Sequence, residues 1–470
     1  MALLEKSRRS FIRGVLFPLQ ERLKHHQTMQ FIREMEAAQW LPLPRLRELQ
    51  DKRVRVLISH GVRTTAYYPR AFRDNGIEPA AIHGVADLQQ LPFLTKEIVR
   101  GNLEDLKSAE AIHVHRFATG GSTGAPLIFY LGATRESSDV AARWRAEGWW
   151  GVGIGDPEFV IWGAPAELKK QDHIRDLRDR FMRTRLLSAF EMNAATMSRY
   201  LDLMERSGCR RVFGYPSSIA LLCEHARKQG RDLKKLGVKA VFVTAEYLWD
   251  HWRKTISEAF GCPVANGYGG RDSGFIAHEC PQGGMHITAD RLAVEIVSAE
   301  GRVLPPGQLG EIVVTHFDTR EMPLIRYRTG DMGVLAENPC PCGRTLPLLE
   351  RVEGRKTDFV IAPDGRVLHG LSLIYILREI EGIEQFRITQ KTLREFDIEI
   401  VTNAVYKVTS ETRIRDGFMQ RLRTAVSIAI RYSPQIATSA SGKYRYVISE
   451  IADDPSQLES VGVSATLGSH

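Results

Sequence analysis

The sequence lacks any apolar run long enough to cross a membrane. A spanning helix needs about 18 consecutive, mostly apolar residues, and no stretch of these 470 residues approaches that length. Arg8 and Arg9 resemble a twin-arginine export signal, but the apolar stretch that follows, Gly14 to Leu19, ends at once in Gln20-Glu21-Arg22. We therefore expect an amphipathic N-terminal helix in a cytoplasmic protein, with no membrane as partner.

Cysteine is scarce, and a concentrated basic surface is missing. The six cysteines are spread between Cys209 and Cys342, a pattern that excludes the disulfide framework of a small secreted protein. The net charge is +8, yet lysine and arginine alternate with acids, as they do in residues 169–176. Nucleic-acid-binding proteins usually concentrate their basic residues. We therefore expect no nucleic-acid partner, and a mild positive field that favours small polyanions such as ATP.

A Walker A motif is also missing, although a different phosphate-binding loop is indicated. Six small residues follow one another between two apolar runs, where backbone N–H groups could approach a phosphate chain. They are Thr119, Gly120, Gly121, Ser122, Thr123 and Gly124. Such clusters also form ordinary turns. Between Gly101 and Lys169 the only lysine is Lys107, so if the loop holds ATP, the catalytic cation must come from elsewhere in the chain.

The order of hydrophobic patterns predicts a large α/β domain followed by a small α+β domain. Residues 1–105 read as helical, and residues 110–355 alternate short apolar runs with amphipathic helices. Strands are predicted at 158–162, 240–244, 292–297 and 310–315, a helix at 217–228, and a hairpin at 359–368. We expect an N-terminal domain of residues 1–355 and a C-terminal domain of residues 356–470, with a disordered tail after residue 451.

Three further motifs carry candidate site residues. Tyr268 and Gly269, followed by Asp272, offer an aromatic face for a purine and a carboxylate for Mg²⁺. Asp331, after the glycine turn of Arg-Tyr-Arg-Thr-Gly-Asp, could accept hydrogen bonds from both ribose hydroxyls. Lys443, in Ser-Gly-Lys-Tyr, could be the missing cation. Each motif alone could equally be a turn or an exposed surface group.

Taken in this order, the motifs resemble those of the adenylate-forming superfamily of acyl-CoA ligases, adenylation domains and luciferases. Within it the chain looks most like the family of phenylacetate-CoA ligase, CapK and coenzyme F390 synthetase. The segments that carry this closer resemblance are residues 243–246, 323–331 and 340–344, with the Tyr268 motif. The resemblance extends over residues 90–450.

The resemblance implies a role for each matching residue. Thr119 to Gly124 would bind the phosphates, Ala245 and Glu246 would line the adenine pocket, and Tyr268 would stack on the base. Asp331 would hold the ribose, Arg355 would lie at the nucleotide where the linker begins, and Lys443 would bridge the carboxylate and the α-phosphate. Asp272 stands where the family usually has a longer glutamate, Gly121 where members can carry Ser or Thr, and Thr357 where the hinge is often Asp.

The family mechanism consists of two displacements with ATP, Mg²⁺ and usually coenzyme A. A carboxylate attacks the α-phosphorus, and the resulting acyl-adenylate is then attacked by a thiol, while the C-terminal domain rotates near Lys356. The acceptor could instead be an amine, or a hydroxyl as in F390 synthetase, and a non-catalytic nucleotide-binding protein of polysaccharide assembly is a further alternative. Phe213, Tyr215 and Tyr268 favour an aryl or arylacetic acid. A homodimer is expected from the family alone.

A structural zinc site is the last prediction. Three thiols and one imidazole form a donor set that suits tetrahedral Zn²⁺. The residues are Cys280, His286, Cys340 and Cys342. The two halves of this set lie 54 residues apart, so their pattern does not show that they meet. The resemblance supports the site, because a Cys-x-Cys-Gly-Arg segment with an upstream Cys and His recurs in the family, where it would clamp the β-rich segment to the nucleotide domain.

Overall fold

The chain divides into two compact units in a computed structural model. The first comprises residues 1–298, 302–329 and 333–352, and the second comprises residues 299–301, 330–332 and 353–470. The structure describes residues 2–118, 127–162, 178–189, 192–355, 359–363, 367–369, 371–378, 380–436 and 446–451. None of the helices in these ranges is both long and apolar enough to cross a bilayer.

The N-terminal hundred residues of the first unit are helical, as the sequence predicts. The helix α4 begins after Pro42 and carries Pro44 in its first turn, where the missing N–H is not needed. Gly76, with φ of +65°, follows the end of α5. The helices are α1 (Ala2–Phe11), which continues through a π-helical segment (Ile12–Leu16) into α2 (Phe17–Leu23), then α3 (Thr28–Ala38), α4 (Leu43–Thr64), α5 (Tyr67–Asp74), α6 (Lys96–Gly101) and α7 (Leu103–Leu106), with 3₁₀ turns at Pro79–Ala81 and Val85–Gln90.

A hairpin and most of an eleven-stranded sheet form the β structure of the first unit. The hairpin pairs β1 (His115–Ala118) with β2 (Ile128–Leu131) in antiparallel fashion. The sheet has the order β10-β11-β12-β13-β9-β8-β7-β6-β5-β3-β4. Its strands are β3 (Glu158–Trp162), β4 (Thr184–Ser188), β5 (Arg211–Gly214), β6 (Ala240–Thr244), β7 (Val264–Gly270), β8 (Gly274–Glu279), β9 (Met285–Ile287), β10 (Leu292–Val297), β11 (Leu309–His316), β12 (Tyr327–Leu335) and β13 (Leu348–Arg355).

Five of the eleven strands run parallel, and this part of the sheet is covered by helices on both faces. The strands β4, β3, β5, β6 and β7 run parallel, and every residue of β6 is buried, as expected for the centre of a parallel sheet. One face packs on α9 (Ala194–Ser207), α10 (Pro216–Lys228) and α11 (Asp250–Phe260), with a 3₁₀ turn at Leu233–Leu236. The other face carries Phe213 and Phe242, and Arg143 of α8 (Ala133–Gly148) lies over the Phe213 ring. The layered α/β domain predicted from the sequence is confirmed.

The predicted β-rich segment continues the sheet in antiparallel fashion. The strands β10 and β11 pair from Leu292 opposite His316 to Val297 opposite Glu311. The predicted strands at 158–162, 240–244 and 292–297 match the observed bounds. The predicted strand at 310–315 and the predicted helix at 217–228 lie within the observed elements, each of which extends one residue further at one or both ends.

The second unit is a small α+β structure, as predicted. The strands β14 (Phe359–Ile361) and β15 (Val367–His369) form the expected hairpin. A four-stranded sheet has the order β18-β17-β16-β19 and is accompanied by two helices. These elements are α12 (Leu371–Arg378), β16 (Ile383–Gln390), β17 (Glu395–Thr402), α13 (Ser410–Leu422), β18 (Ser427–Tyr432) and β19 (Val447–Ser449). The predicted tail, residues 452–470, lies outside the described residues.

Candidate functional site

The candidate site lies at the carboxyl edge of the parallel strands, where open α/β sheets bind their ligands. Thr244, the last residue of β6, is paired with Gly267 of β7. Ala245 and Tyr268, which the sequence assigns to the adenine pocket, directly follow these two residues. The fold therefore brings two motifs that are separated in the chain to adjacent positions on one edge.

The residues after β6 adopt an unusual backbone conformation. Ala245 has φ of +70°, in the left-handed region that costs a non-glycine residue about 1 kcal/mol or more. Glu246 follows, and its Oε2 accepts a hydrogen bond of 3.2 Å from the N–H of Ser217, in the first turn of α10. A carboxylate at a helix N-terminus is electrostatically favoured, so this contact fixes the course of the chain where the adenine pocket is predicted.

Asp272, the predicted Mg²⁺ ligand, lies in the turn between β7 and β8. Its Oδ1 accepts a hydrogen bond of 2.9 Å from the N–H of Ser273, and its Oδ2 accepts one of 2.7 Å from the hydroxyl of Tyr327. Gly269 is required for this turn, because a Cβ there would overlap the carbonyl oxygen of Gly274. The carboxylate is thus held from two sides in a half-buried position.

Tyr327 connects the motif of Asp331 with the motif of Tyr268 and Asp272, which is separate in the sequence. It opens β12, is almost fully buried, and stands four residues before Asp331 in the same strand. The preceding residue, Arg326, is buried and binds Glu295 through Nε at 3.0 Å and Nη2 at 2.9 Å. Arg326 therefore anchors the segment, whereas Tyr327 contacts the candidate site. No sequence pattern predicts this contact of Tyr327, although the residue lies within the Arg-Tyr-Arg-Thr-Gly-Asp motif.

Arg135 of α8 is a second residue at the candidate site that the sequence does not predict. It is fully buried, and its Nε lies 3.1 Å from both carboxylate oxygens of Asp139. Its Nη2 donates to the carbonyl oxygen of Asp272 at 3.4 Å. Burial alone would raise the pKa of Asp139, but Arg135 and His316 hold that pKa below its ordinary value. The charged pair supports the turn that carries Asp272, and no local pattern around Arg135 indicates this.

Several predicted site residues cannot be placed at the site. Thr119, Gly120, Gly121, Ser122, Thr123, Gly124 and Lys443 lie outside the described residues. The strands β1 and β2, which flank the predicted phosphate loop, are paired from His115 opposite Leu131 to Ala118 opposite Ile128. Arg355 ends β13, and its side chain is not among those described.

The four predicted zinc ligands meet within the first unit. Their ligand atoms all lie within 4.8 Å of one another, with 3.5 Å between the sulfurs of Cys280 and Cys340 and 3.1 Å between His286 Nε2 and Cys342 Sγ. Zinc–sulfur bonds of about 2.3 Å at tetrahedral angles would separate two sulfurs by roughly 3.7 Å. The arrangement therefore fits a tetrahedral Zn²⁺.

The surroundings of this cluster also suit a structural metal. Nδ1 of His286 lies 3.3 Å from the carbonyl oxygen of Leu346, so an N–H there leaves Nε2 free to face the sulfurs, as is usual for metal-binding histidines. Gly284 leaves room for Cys340, since a Cβ would press against its sulfur. The cluster joins β9 and the loop that precedes it to the loop between β12 and β13.

Comparisons with known proteins support the same family as the motifs. The CapK C-terminal domain model matches residues 360–450. Protein CapK of Staphylococcus aureus is 24% identical over 454 residues, covering 94% of this chain and 96% of CapK. Phenylacetate-coenzyme A ligase of Thermus thermophilus is 26% identical over 344 residues, covering 68% of this chain and 73% of the ligase.

The fold is also that of a solved ligase. The structure of 2-hydroxyisobutyryl-CoA ligase in the postadenylation state, in complex with R3-HIB-AMP, aligns with a TM-score of 0.71. The alignment covers 88% of this chain and 91% of that chain at 19% identity. The likeness includes both the large α/β region and the smaller C-terminal region.

Proposed function

Because this chain belongs to the adenylate-forming superfamily, in the branch that contains CapK and the phenylacetate-CoA ligases, we propose that it activates a carboxylic acid as an acyl-adenylate. ATP would be the second substrate and pyrophosphate the first product. The observation that carries the proposal is the convergence of three motifs on one sheet edge. Ala245 and Tyr268 directly follow the paired residues Thr244 and Gly267, and Tyr327 donates a hydrogen bond to Asp272.

The nucleotide would be held by the residues that the motifs single out. Thr119 to Gly124 would bind the phosphates, Tyr268 would stack on adenine beside Ala245 and Glu246, and Asp331 would bind the ribose. Arg355 would complete the site where the linker begins. These assignments rest on the family pattern, and the adjacent positions of Ala245 and Tyr268 support the adenine part.

Asp272 fits a role as Mg²⁺ ligand. Oδ1 accepts hydrogen bonds from the N–H and, at 3.4 Å, from the hydroxyl of Ser273, whereas Oδ2 accepts one from Tyr327 and keeps a second lone pair for a metal. Magnesium usually takes only one or two protein carboxylates and otherwise binds water and phosphate oxygens. When bound, it would neutralise phosphate charge. Tyr327 and Ser273 would keep the short Asp272 side chain in one orientation.

The chemistry itself needs positioning and charge neutralisation more than it needs a covalent enzyme intermediate. The substrate carboxylate attacks the α-phosphorus and displaces pyrophosphate. Lys443 would stabilise the negative charge that develops between the carboxylate and the α-phosphate. We place this lysine on a C-terminal domain, residues 356–470, that rotates near Lys356 and leaves the site before the second step.

The second step would transfer the acyl group to a thiol, and coenzyme A is the acceptor we propose. A different acceptor is a second candidate, with a specific observation in its favour. The similarity to phenylacetate-CoA ligase covers 68% of this chain, whereas the similarity to CapK covers 94%, and the C-terminal region matches the CapK domain. An amine or a hydroxyl could then replace the thiol.

An aryl or arylacetic acid is the substrate class that we propose. Trp162 at the end of β3 stacks on Tyr215, which follows β5, with ring centroids 4.3 Å apart and planes at 21°. The centroid of the same Trp162 ring lies 5.8 Å from that of Phe213. Phe213 and Tyr215 are buried, whereas Trp162 is half-buried. Of these rings, Trp162 is therefore the one that could offer a face to the ring of a substrate.

Pyrophosphate release tests the proposal. Purified protein would be incubated with MgATP and a panel of aryl, arylacetic and fatty acids, with and without coenzyme A. We expect release with at least one acid, and mass spectrometry of the products distinguishes a thioester from an amide or an adenylylated hydroxyl. A protein that binds ATP but releases no pyrophosphate with any acid would instead be a nucleotide-binding protein without catalytic activity.

A further inference from the structure

His278 is a buried histidine that the family motifs do not include. It lies in β8 opposite Gly267 of β7, and its ring stacks on Phe275 at 5.2 Å between centroids. The residue is only 8% exposed. Neither of its ring nitrogens has a hydrogen-bond partner among the described residues. Buried polar atoms are normally satisfied, so this pair of nitrogens indicates a missing partner.

The imidazole is neutral at physiological pH. Burial lowers the pKa of His278 to about 3, and the nearby charges of Arg145 and Arg143 act in the same direction. A neutral imidazole has one N–H donor and one acceptor nitrogen. His278 can therefore both give and receive a hydrogen bond, but it is not a base for the reaction.

A small cavity lies at His278. Its volume is about 20 Å³, which is enough for one group the size of a water molecule. Glu147 also lines it, and the Oε2 of this carboxylate is another buried atom without a hydrogen-bond partner among the described residues. The remaining lining is largely aromatic or apolar and includes Trp150, Phe213, Phe242 and Phe275, together with the charged Arg143 and Glu279.

This cavity adjoins the candidate nucleotide site. Thr244 and Gly267 line it, and they directly precede Ala245 and Tyr268 of the predicted adenine pocket. Phe213 also lines it, and this residue belongs to the aromatic cluster with Trp162 and Tyr215. The cavity therefore borders the surface on which we place the ring of the acid.

We propose that His278 and Glu147 bind a hydroxyl group of the acid, so that the substrates are hydroxyaryl or hydroxyarylacetic acids. This inference depends on the proposed adenylation. The ring would lie against the aromatic cluster, and its hydroxyl would occupy the cavity, where it can bond both to the imidazole and to the carboxylate oxygen. An acid without the hydroxyl would leave these buried polar atoms without partners.

Sites of this kind discriminate strongly between a substrate with the hydroxyl group and the analogue without it. A pocket that hydrogen-bonds a substrate hydroxyl can reject the analogue that lacks it by about 10⁴-fold or more, because the polar atoms of the pocket are then left unpaired. A cavity with room for a single water-sized group also excludes larger substituents at that position. On this proposal the ring substituent is polar and no larger than a water-sized group.

The test compares kcat/KM for pyrophosphate release between matched acids: benzoic and phenylacetic acid, and their 2-, 3- and 4-hydroxy derivatives. We expect wild-type protein to favour one hydroxy acid over its parent by ~100-fold or more. His278→Leu removes both ring nitrogens at similar volume, and it should bring that ratio close to one. His278→Gln keeps a donor and an acceptor and should restore part of the preference.

Phe242→Leu is the matched control, because it widens the same cavity without removing a polar atom. It should admit larger ring substituents while the preference for the hydroxyl remains. A wild-type protein that prefers the parent acids would overturn the inference, and so would an unchanged ratio in folded His278→Leu. If no acid releases pyrophosphate, the proposed function fails before the inference is reached. Should His278→Leu not fold, the wild-type ratio and the Gln variant still decide the question.

Discussion

The hydroxyl of Tyr327 donates a hydrogen bond of 2.7 Å to Oδ2 of Asp272. The two residues are 55 positions apart, and each belongs to a different motif of the predicted nucleotide site. Tyr327 is buried, whereas Asp272 is half-buried. The pair thus links a buried strand to the carboxylate that we assign to Mg²⁺.

Replacing Tyr327 by Phe should weaken the binding of Mg²⁺. A hydrogen bond to a charged group contributes about 1.5–3 kcal/mol, and part of it keeps the carboxylate in the orientation that the metal needs. We expect the Mg²⁺ concentration for half-maximal pyrophosphate release to rise about tenfold, with little change in KM for the acid. A Mg²⁺ titration at saturating ATP measures this.

Tyr68→Phe is the control for this variant. The Tyr68 hydroxyl is also buried, but both of its hydrogen bonds are to the backbone: it donates to the carbonyl oxygen of Pro323 at 2.7 Å and accepts from the N–H of Ile325 at 3.2 Å. Its loss should lower stability without changing the Mg²⁺ requirement. Equal Mg²⁺ curves for Tyr327→Phe and wild type would show that the contact has no part in metal binding.

Lys443→Ala should abolish adenylation. Removing one group that neutralises developing charge typically costs about a hundredfold or more in rate, and the fold should remain intact. Lys391→Ala is the matched control, because Lys391 is an exposed lysine of the same unit that pairs with Glu450. Pyrophosphate release at the wild-type rate by Lys443→Ala would refute the assignment of this lysine.

The sequence predicts the strands well where burial alone determines them. All five residues of β6, Ala240 to Thr244, are apolar or small and form a buried parallel strand, so the pattern is sufficient. The motifs of the candidate site can also be recognised in the sequence, since glycine, tyrosine and acidic residues occur in them in a fixed order. These signals are local, and they were enough for the fold class, whereas the roles of the candidate nucleotide residues stay predictions.

The partners of those residues could not be predicted, because they depend on the fold. Arg135 reaches the turn of Asp272 from a helix 137 positions earlier. A histidine in a strand, such as His278, gives no sign in the sequence that its nitrogens will be buried without partners among the described residues. The contact between Cys280 and Cys340 likewise depends on how the sheet brings together the loop before β9 and the loop before β13.

Arg211→Leu should destabilise the protein strongly. Arg211 is fully buried and donates to Glu147 at 2.6 Å and to Glu158 at 2.8 Å. Removing one member of a buried ion pair leaves its partner uncompensated and typically costs about 3–5 kcal/mol. Urea unfolding of this variant and of Arg210→Leu measures the difference. The Arg210 side chain is exposed, so Arg210→Leu should lower the free energy of unfolding by less than about 1 kcal/mol. A similar decrease in both variants would contradict the interpretation.

Purified protein should contain about one equivalent of zinc per chain. The Cys340→Ala variant should lose most of the metal and unfold at a lower temperature, because a structural site stabilises the loops that it joins. Cys262→Ala is the control, since Cys262 is a free thiol in a different hydrophobic core, and it should keep the metal. Metal analysis of wild type that finds no zinc would disprove the site.

The stability of the first unit should fall as the pH rises from about 6.5 to about 9. Burial alone would lower the pKa of His26, but Glu136 and Glu21 raise it to about 9, with nitrogen–oxygen distances of 3.3 and 3.4 Å. The folded state thus binds a proton that the unfolded state releases near pH ~6.5, so this contribution is complete below that pH and is lost above about 9. Melting temperatures of wild type should therefore decrease across this interval, and those of His26→Gln should decrease less.

His83→Gln is the control, because it removes an exposed histidine, and its melting temperatures should follow those of wild type. If the melting temperatures of His26→Gln fell with pH as steeply as those of wild type and His83→Gln, His26 would be excluded as the cause.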